Sequence, residues 1–296
     1  MAFYFFSSFS MDLKYRRVNV IGAGRVGKVM AYFFSKYLGM EVVGIYNQSL
    51  ASGRLAAKEI GQGTAVSSLS RLEPADIYLI AVPDDKIEQI ALELKANQLL
   101  KSALVLHFSA NLSTKALNVL DCHLASVHPM QSFSDFQVSI ASFNRTYCAI
   151  ETPEKAIYKE LEAMFALLGA KPFPIKADAK VLYHAAAVIA ANYTVTLAHV
   201  AKTCLFEAGI DDDEAFDMMM LLMQSVLTNL KTEKDCKAVL TGPIARGDVN
   251  TIEQHLDALQ KFPQIKALYQ ALGSMSLELL DDTKTDIQRM KKILAS

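Results

Sequence analysis

Residues 15–30 read YRRVNVIGAGRVGKVM, and this stretch decides the fold. Val18, Val20 and Ile21 form a β-branched apolar run. The pattern Gly22-x-Gly24-x-x-Gly27 ends it, and Val26, Val29, Met30, Phe33 and Phe34 follow at helical spacing. Gly22 permits a tight turn out of the strand, Gly24 keeps the backbone bare where a diphosphate has to approach, and Gly27 lets helix and strand pack closely. The first amides of such a helix lack intrahelical acceptors and point toward an anion. The stretch predicts a dinucleotide-binding turn contacted through Gly22, Gly24, Arg25, Val26 and Gly27. The plainer reading is a glycine-rich αβ turn without a ligand.

Outward from this turn, strand and helix patterns alternate. A strand at 41–46 and an alanine-rich helix at 51–60 complete a βαβ half-unit. DIYLIAV at 76–82 suits a strand buried on both faces, and Pro83-Asp84-Asp85 ends it before a helix at 87–94. Strands at 104–108, 125–128, 146–150 and 172–175, with a helix at 153–168, extend an α/β, doubly wound, parallel Rossmann sheet. Beyond Lys176 the pattern is helical throughout. Asp178 is placed to cap a helix to about Ala208, and Asp211 to Asp213 open a second through Leu230. Asn250 with Glu253 forms a capping-box pattern for a third, and Pro263 starts a fourth. The expected domains are 14–175, binding dinucleotide, and 176–296, an all-α substrate and dimerisation domain.

Size and charge narrow the class. At 296 residues and 52% hydrophobic, the chain holds enough apolar material for two cores. Thirty basic residues against thirty-one acidic ones, with no long basic run, argue against a nucleic-acid partner. Cys122, Cys148, Cys204 and Cys236 are scattered without C-x-x-C spacing, so neither a metal site nor a disulfide framework is expected, and a reducing cytoplasm fits. MAFYFFSSFS at 1–10 lacks the basic start and cleavage site of a signal peptide; Met11 as the true start and a tail packing on a neighbour are the two alternatives. The apolar stretch 185–205 is interrupted by Asn192, His199 and Lys202, so no membrane span is expected. MMMLLM at 218–223 is apolar on every side of its helix, and the first long helix is rich in alanine. A domain of about 120 residues struggles to enclose both helices, which predicts that one lies in a homodimer interface.

The turn implies which cofactor. An acidic residue about twenty positions beyond the last glycine binds the ribose 2′-hydroxyl in NAD sites and repels a 2′-phosphate. Asn47 stands at that distance, followed by Gln48 and Ser49, and Arg25 adds positive charge. These neutral groups favour NADP, with NAD as the alternative; nothing suggests a flavin pocket. Ala81, Val82 and Pro83 after one strand, and Ser109 after the next, complete the expected cofactor contacts.

Four stretches look chemical: LHFSA at 106–110, SVHPMQSF at 126–133, KVLYH at 180–184 running on to Asn192, and TGPIARGD at 241–248. His128 ends an apolar run, and Pro129 keeps it extended, at a strand end that borders the ligand crevice. There it is placed to handle the proton that accompanies hydride transfer, the alternatives being a ligand hydrogen bond or a structural one. His107 lies within its strand and is the weaker candidate. Lys180 and His184 share a helix face about 6 Å apart, with Asn192 two turns on. Arg246 between Gly242-Pro243 and Gly247 reads as a loop residue aimed at a substrate carboxylate, or bonded to Asp248 to fix that loop. Tyr183, Tyr193 and the methionines read as core. Walker, H-E-x-x-H and G-x-S-x-G patterns are missing from the sequence.

HPMQSF, KVLYHAAAVIAANY and LTGPIARGD carry a resemblance. From about Arg17 to Leu279 the chain resembles a two-domain family, a Rossmann-like domain followed by a C-terminal domain of unknown function. That family is related to β-hydroxyacid dehydrogenases, pyrroline-carboxylate reductases and deazaflavin-linked NADP oxidoreductases. The resemblance implies a helical domain of the 6-phosphogluconate dehydrogenase C-terminal type and an NADP-dependent oxidoreductase acting on a small molecule. In β-hydroxyacid dehydrogenases a lysine and an asparagine on the first long interdomain helix donate a proton and anchor substrate. Lys180 and Asn192 are similar in placement, though their spacing differs. The alternative is a non-catalytic dinucleotide sensor or scaffold.

Overall fold

A computed structural model describes residues 14–97, 100, 102–280 and 286–295. The readings of segment 1–10 and of Met11 lie outside the described residues. The chain forms two compact units, one reaching to Ala191 and the other beginning at Asn192. The division falls inside a long helix rather than at the change of pattern near Lys176.

In chain order the first unit contains β1 (Arg17–Ile21), α1 (Arg25–Lys36), β2 (Glu41–Tyr46), α2 (Leu50–Ile60) and β3 (Thr64–Val66). It continues with β4 (Ile77–Ile80), α3 (Asp84–Ala96), β5 (Leu104–His107), β6 (His123–Pro129), α4 (Phe136–Ser142), β7 (Tyr147–Glu151), α5 (Lys155–Leu167) and β8 (Lys171–Pro174). The strands form one sheet in the order β3-β2-β1-β4-β5-β6-β7-β8. Every neighbouring pair is parallel except β6 and β7, which corrects the wholly parallel sheet implied by the sequence. The reason is length. The seven residues of α4 span about 10 Å, too little to run back along seven-residue β6 at about 23 Å, so the chain re-enters the sheet at the end it left. The thirteen residues of α5, about 20 Å, are long enough to return the chain in parallel to β8.

Ile77, Leu79, Tyr78 and Ile80 are all buried, as a strand covered on both faces requires. Ile77 and Leu79 join Val18, Val20, Leu106, Val127 and the helical Phe33, Phe34, Leu161 and Phe165 in one cluster. Tyr78 and Ile80 join Ile21, Val105 and Ile87, Ile90 and Leu94 of α3 in the other. Order along the sheet reverses between β1 and β4, so the crevice at their carboxyl ends is where a ligand is accommodated in such sheets.

After β8 come α6 (Lys180–Glu207), α7 (Asp212–Glu233), α8 (Cys236–Val239), α9 (Gly242–Arg246), α10 (Val249–Ala258), α11 (Pro263–Leu277) and α12 (Asp286–Leu294). Asp211 caps α7 through the Asp213 amide and proline starts α11, as the sequence predicts. The cap of α10 differs: Asp248, not Asn250, accepts from the Thr251 amide and hydroxyl, because two residues earlier the aspartate reaches both donors. In the second unit Val249, Ile252, Leu256, Leu277, Ile287, Met290 and Leu294 form a small core.

Two helices stay apolar outward. Leu182, Ile189 and Val195 of α6 and Leu221, Leu222 and Leu227 of α7 are exposed, whereas Ala215 and Met219 of α7 are buried. By length and composition alone α6 is apolar enough to cross a membrane, despite the polar residues at 192, 199 and 202. Within it Lys180 is fully buried, and Lys202 pairs with Asp212 at 2.7 Å.

Candidate functional site

The glycine turn is built as its spacing requires. Gly22 has φ +87°, and a Cβ there would stand 2.6 Å from the Ala81 carbonyl oxygen; one on Gly27 would collide with the Gly22 carbonyl. Gly24 is different. Its φ of −76° suits any residue, and an added Cβ would meet open space. The freedom of Gly22 and Gly27 therefore serves packing, while the bare backbone of Gly24 serves whatever occupies that space.

Two cavities meet there. One of about 480 Å³ is lined by Gly22, Gly24, Asn47, Gln48, Ala81, Val82, Pro83 and Lys86, across the β1–β4 switch point. The second, about 740 Å³, shares Gly24, Asn47 and Ser52 and adds Arg25, Lys28 and Lys58. Together they form an open cleft around the α1 N-terminus, flanked by Arg25, Lys58 and Lys86 and by Lys28 paired with Glu59 at 2.5 Å, with Glu93 at its edge, and its dimensions fit a dinucleotide. Asn47 Oδ1 accepts from the Ala23 amide at 2.6 Å. That bond fixes the carboxamide and leaves its NH₂ as the free group, a donor where aspartate would offer only acceptors. Two expected contacts are otherwise engaged: Val26 packs against the core, and Ser49 caps α2 through the Ser52 amide.

A buried polar group lies at the carboxyl ends of β5 and β6. Lys180, fully buried at the start of α6, donates through Nζ to the Ser109 carbonyl at 3.0 Å and to Ser126 Oγ at 2.8 Å. Ser126 and His128 share a face of β6, and Lys180, Tyr183 and His184 share a face of α6. Accordingly His128 Nδ1 and Tyr183 Oη lie 3.0 Å apart, their rings edge to face at 5.5 Å. His184 contributes a buried Nδ1 that has no hydrogen-bond partner among the described residues. The sequence candidates His128, Lys180 and His184 are thus brought together, with Ser126 and Tyr183 as additions.

Ser109 serves this group rather than facing a ligand. Its hydroxyl donates to Asp84 Oδ2 at 2.8 Å and accepts from the amides of Asn111 and Leu112. His107 is likewise satisfied: Nδ1 accepts from the Ser109 amide, so Nε2–H donates to the Ser113 carbonyl. Glu151, buried, accepts from the amide and hydroxyl of Thr114. These bonds brace the loop after β5, and Asp84, beside Pro83 and Lys86 of the first cavity, ties it to the cleft. Asp84 and Glu151 escape a reading of the sequence because their partners are 25 and 37 residues away. The one available signal was Pro83-Asp84 opening a helix.

Burial sets the protonation states. It lowers Lys180 to about 8, opposed by the charges of Glu151 and Asp84. Burial, then the charges of Lys180 and His184, hold His128 down at about 4, and burial holds His107 at about 4. At neutral pH the group therefore contains a buried ammonium beside an uncharged imidazole.

The remaining candidates belong to the second unit. Asn192 is exposed, its carbonyl accepting from Thr196 Oγ1 at 3.4 Å. Arg246 is exposed too, and the segment expected as a loop is the short helix α9, which ends on Arg246 and closes with Gly247 at φ +77°. Proline at its first turn and glycine past its end favour that single turn. Arg246 lies near enough to Asp248 to lower that carboxylate's pKa, behind the Thr251 bonds. Among the described residues no cluster of His, Cys, Asp or Glu suits a metal ion.

Comparison with known proteins adds the following. Residues 7–125 match a Rossmann-like domain and residues 146–276 a domain of unknown function, DUF2520. A Bacteroides fragilis structure, provisionally described as an NADP oxidoreductase, is 22% identical with TM-score 0.74, covering 88% of this chain and 97% of that one. A Thermotoga maritima protein is 27% identical with TM-score 0.68 over 88% and 97% of the two chains. Pyrroline carboxylate reductase of Plasmodium falciparum with NADP bound is 14% identical with TM-score 0.59, covering 96% and 99%. No curated protein matches the sequence.

Proposed function

Because the chain joins a Rossmann-like domain to a DUF2520 domain, we propose that it is a nicotinamide-dinucleotide oxidoreductase acting on a small carbonyl, hydroxy or imine compound. One observation carries the reading. The polar group formed by Lys180, Ser126, His128, Tyr183 and His184 stands at the carboxyl edge of the sheet that holds the glycine turn, and the Asp84–Ser109 bond links the two. A sensor or scaffold needs the turn but has no use for a buried ammonium and two half-buried histidines in one group.

The α1 N-terminus and Gly24 would hold the diphosphate, and Asn47, Gln48 and Arg25 the adenosine ribose. The free donor of Asn47 and the side chains of Arg25 and Lys58 in the second cavity, where Lys28 is paired with Glu59, support NADP over NAD. When bound, the cofactor supplies or accepts the hydride. The chain supplies the rest. The Lys180 ammonium, reaching the site through Ser126, favours negative charge on the acceptor, and His128 bonds and orients it.

Screening keto acids, aldehydes, hydroxy acids and cyclic imines for change of nicotinamide absorbance tests this. Turnover with one class, lost in His128→Ala while nucleotide still binds, is the expected result. Silence across every class contradicts it.

The apolar faces of α6 and α7 support a homodimer, a second copy covering Leu182, Val195, Leu221 and Leu222. Sedimentation is expected to give twice the chain mass; a monomer at micromolar concentration would refute the dimer.

A further inference from the structure

We propose that Tyr183 is a positioning residue: its phenol O–H donates to His128 Nδ1 and fixes that imidazole as the Nε2–H tautomer, so that a ligand at Nε2 meets a hydrogen-bond donor. The inference deepens the oxidoreductase reading, since it says what His128 offers a substrate.

The argument begins with which group donates. Nδ1 of His128 and Oη of Tyr183 lie 3.0 Å apart, and either a phenol O–H or an imidazole N–H has to occupy the line between them. A phenol is the better acid of the two, and a neutral imidazole nitrogen is a far better base than a phenol oxygen. The proton therefore stays on Tyr183 and points at Nδ1. A neutral imidazole carries one N–H, so Nε2 bears it.

The surroundings hold both rings in this relation. Phe173 of β8 packs edge-on against Tyr183 at 6.2 Å, and Tyr183 packs edge-on against His128 at 5.5 Å. Phe173 itself rests against Tyr147 at 6.3 Å. On the other side Pro129 follows His128 in a strand paired with β7, His128 opposite Ala149. The phenol is thus clamped between Phe173 of β8 and the imidazole of β6, two strands away, and it has little freedom to turn its O–H elsewhere.

The charged and titratable groups around the pair favour the same state. Burial, and after it Lys180 and His184 on α6, oppose a positive charge on His128. Burial keeps the Tyr183 phenol protonated, up at about 12, and the thiol of Cys148 on β7 is itself held protonated by burial. An uncharged His128 beside a protonated Tyr183 is the one combination in which Nδ1 acts as acceptor.

The consequence is a narrower substrate class. A ring with Nε2–H binds an oxygen acceptor, a carbonyl or carboxylate, and offers nothing to the N–H of a protonated imine. Neutral His128 is then a hydrogen-bonding group and not the base that removes a substrate proton. This differs from the sequence reading of Tyr183 as core and of His128 as proton carrier.

Nitrogen-15 NMR of the full chain labelled at histidine tests the proposal without substrate or cofactor, with His128→Gln identifying the His128 signals. At pH 7 the expected spectrum has Nδ1 of His128 in the unprotonated range and Nε2 in the protonated range. In Tyr183→Phe, which removes a single oxygen, both nitrogens move toward the averaged values of a mixed tautomer while the thermal transition confirms a folded chain. Nδ1–H in the wild-type protein overturns the proposal, as does a pure Nε2–H ring that is unchanged in a folded Tyr183→Phe. Should Tyr183→Phe fail to fold, the wild-type spectrum decides alone. A fixed Nε2–H tautomer in a protein without turnover would leave this assignment standing and defeat only the oxidoreductase reading.

Discussion

Gly27→Ala is expected to destabilise the chain by about 1–3 kcal/mol, whereas Gly24→Ala, three residues away, is expected to leave the thermal transition in place and weaken nucleotide binding at least tenfold. The two glycines face different things. A methyl group on Gly27 has the Gly22 carbonyl in its way and stands 3.1 Å from Ala81 Cβ, both on packed backbone that cannot yield cheaply. Helix α1 would have to lift from β1, and the apolar cluster of Val29, Phe33 and Phe34 would lift with it. On Gly24 the same methyl group meets nothing in the free protein and violates no backbone preference. It does fill the space that a diphosphate needs in order to reach the first amides of α1. A tenfold loss of affinity corresponds to about 1.4 kcal/mol, small beside the several amide contacts at stake. Thermal unfolding and titration of both variants separate the two effects. A Gly24→Ala protein that binds nucleotide as well as the wild type would mean that this face of the turn is not the phosphate site.

The second large effect concerns Lys180. Lys180→Met keeps the volume of the side chain and removes the ammonium, leaving the Ser109 carbonyl and the Ser126 hydroxyl without their donor. Loss of kcat by about 10²–10³ is expected on any substrate the protein turns over, the size seen when one preorganised charge-stabilising donor is lost. Nucleotide affinity, set at the glycine turn, should change little. Activity of the wild type is expected to fall as pH rises through about 8, where the ammonium is lost, and that limb should be absent in the variant.

Stability gives a signature independent of substrate. Burial lowers Lys180 from 10.5 to about 8, so between these values the unfolded chain still binds a proton that the folded chain has released. Folding is penalised fully below pH 8, and the penalty is relieved as pH rises from 8 toward 10.5. The thiols of half-buried Cys122 and buried Cys148, raised from 9.0 to about 12, pull in the opposite direction above pH 9. They do so equally in both chains. The difference in unfolding free energy between wild type and Lys180→Met should therefore shift in favour of the wild type from pH 8 to 10, by chemical denaturation at each pH. A constant difference would place Lys180 in solvent contact and remove it from the group described here.

What the sequence discloses follows from how far apart the partners stand. The turn is local: three glycines within six residues, between a β-branched run and a helix, determine their own geometry, and the structure has the strand, φ +87° at Gly22 and the helix in their predicted places. Lys180 and His184 are legible because polar groups four apart on an apolar helix require partners. Their partners are not legible. Ser109 and Ser126 lie 71 and 54 residues from Lys180, and Tyr183 lies 55 from His128, distances bridged only by the order of strands in the sheet. The antiparallel β6–β7 pair escapes for a related reason, since direction depends on whether the intervening segment is long enough to return, and α4 is not marked by a strong periodicity. Ser109 was legible as a residue near the crevice but not as one whose hydroxyl is already committed to Asp84 and two amides.

Binding of the dinucleotide at the α1 N-terminus is the claim on which the other assignments rest. Calorimetric titration of the wild-type chain with NADPH and with NADH tests it most directly. The expected result is one nucleotide bound per chain, NADPH more tightly than NADH, with a rise in the thermal transition on saturation. No heat from either nucleotide, together with an unmoved transition, would contradict it.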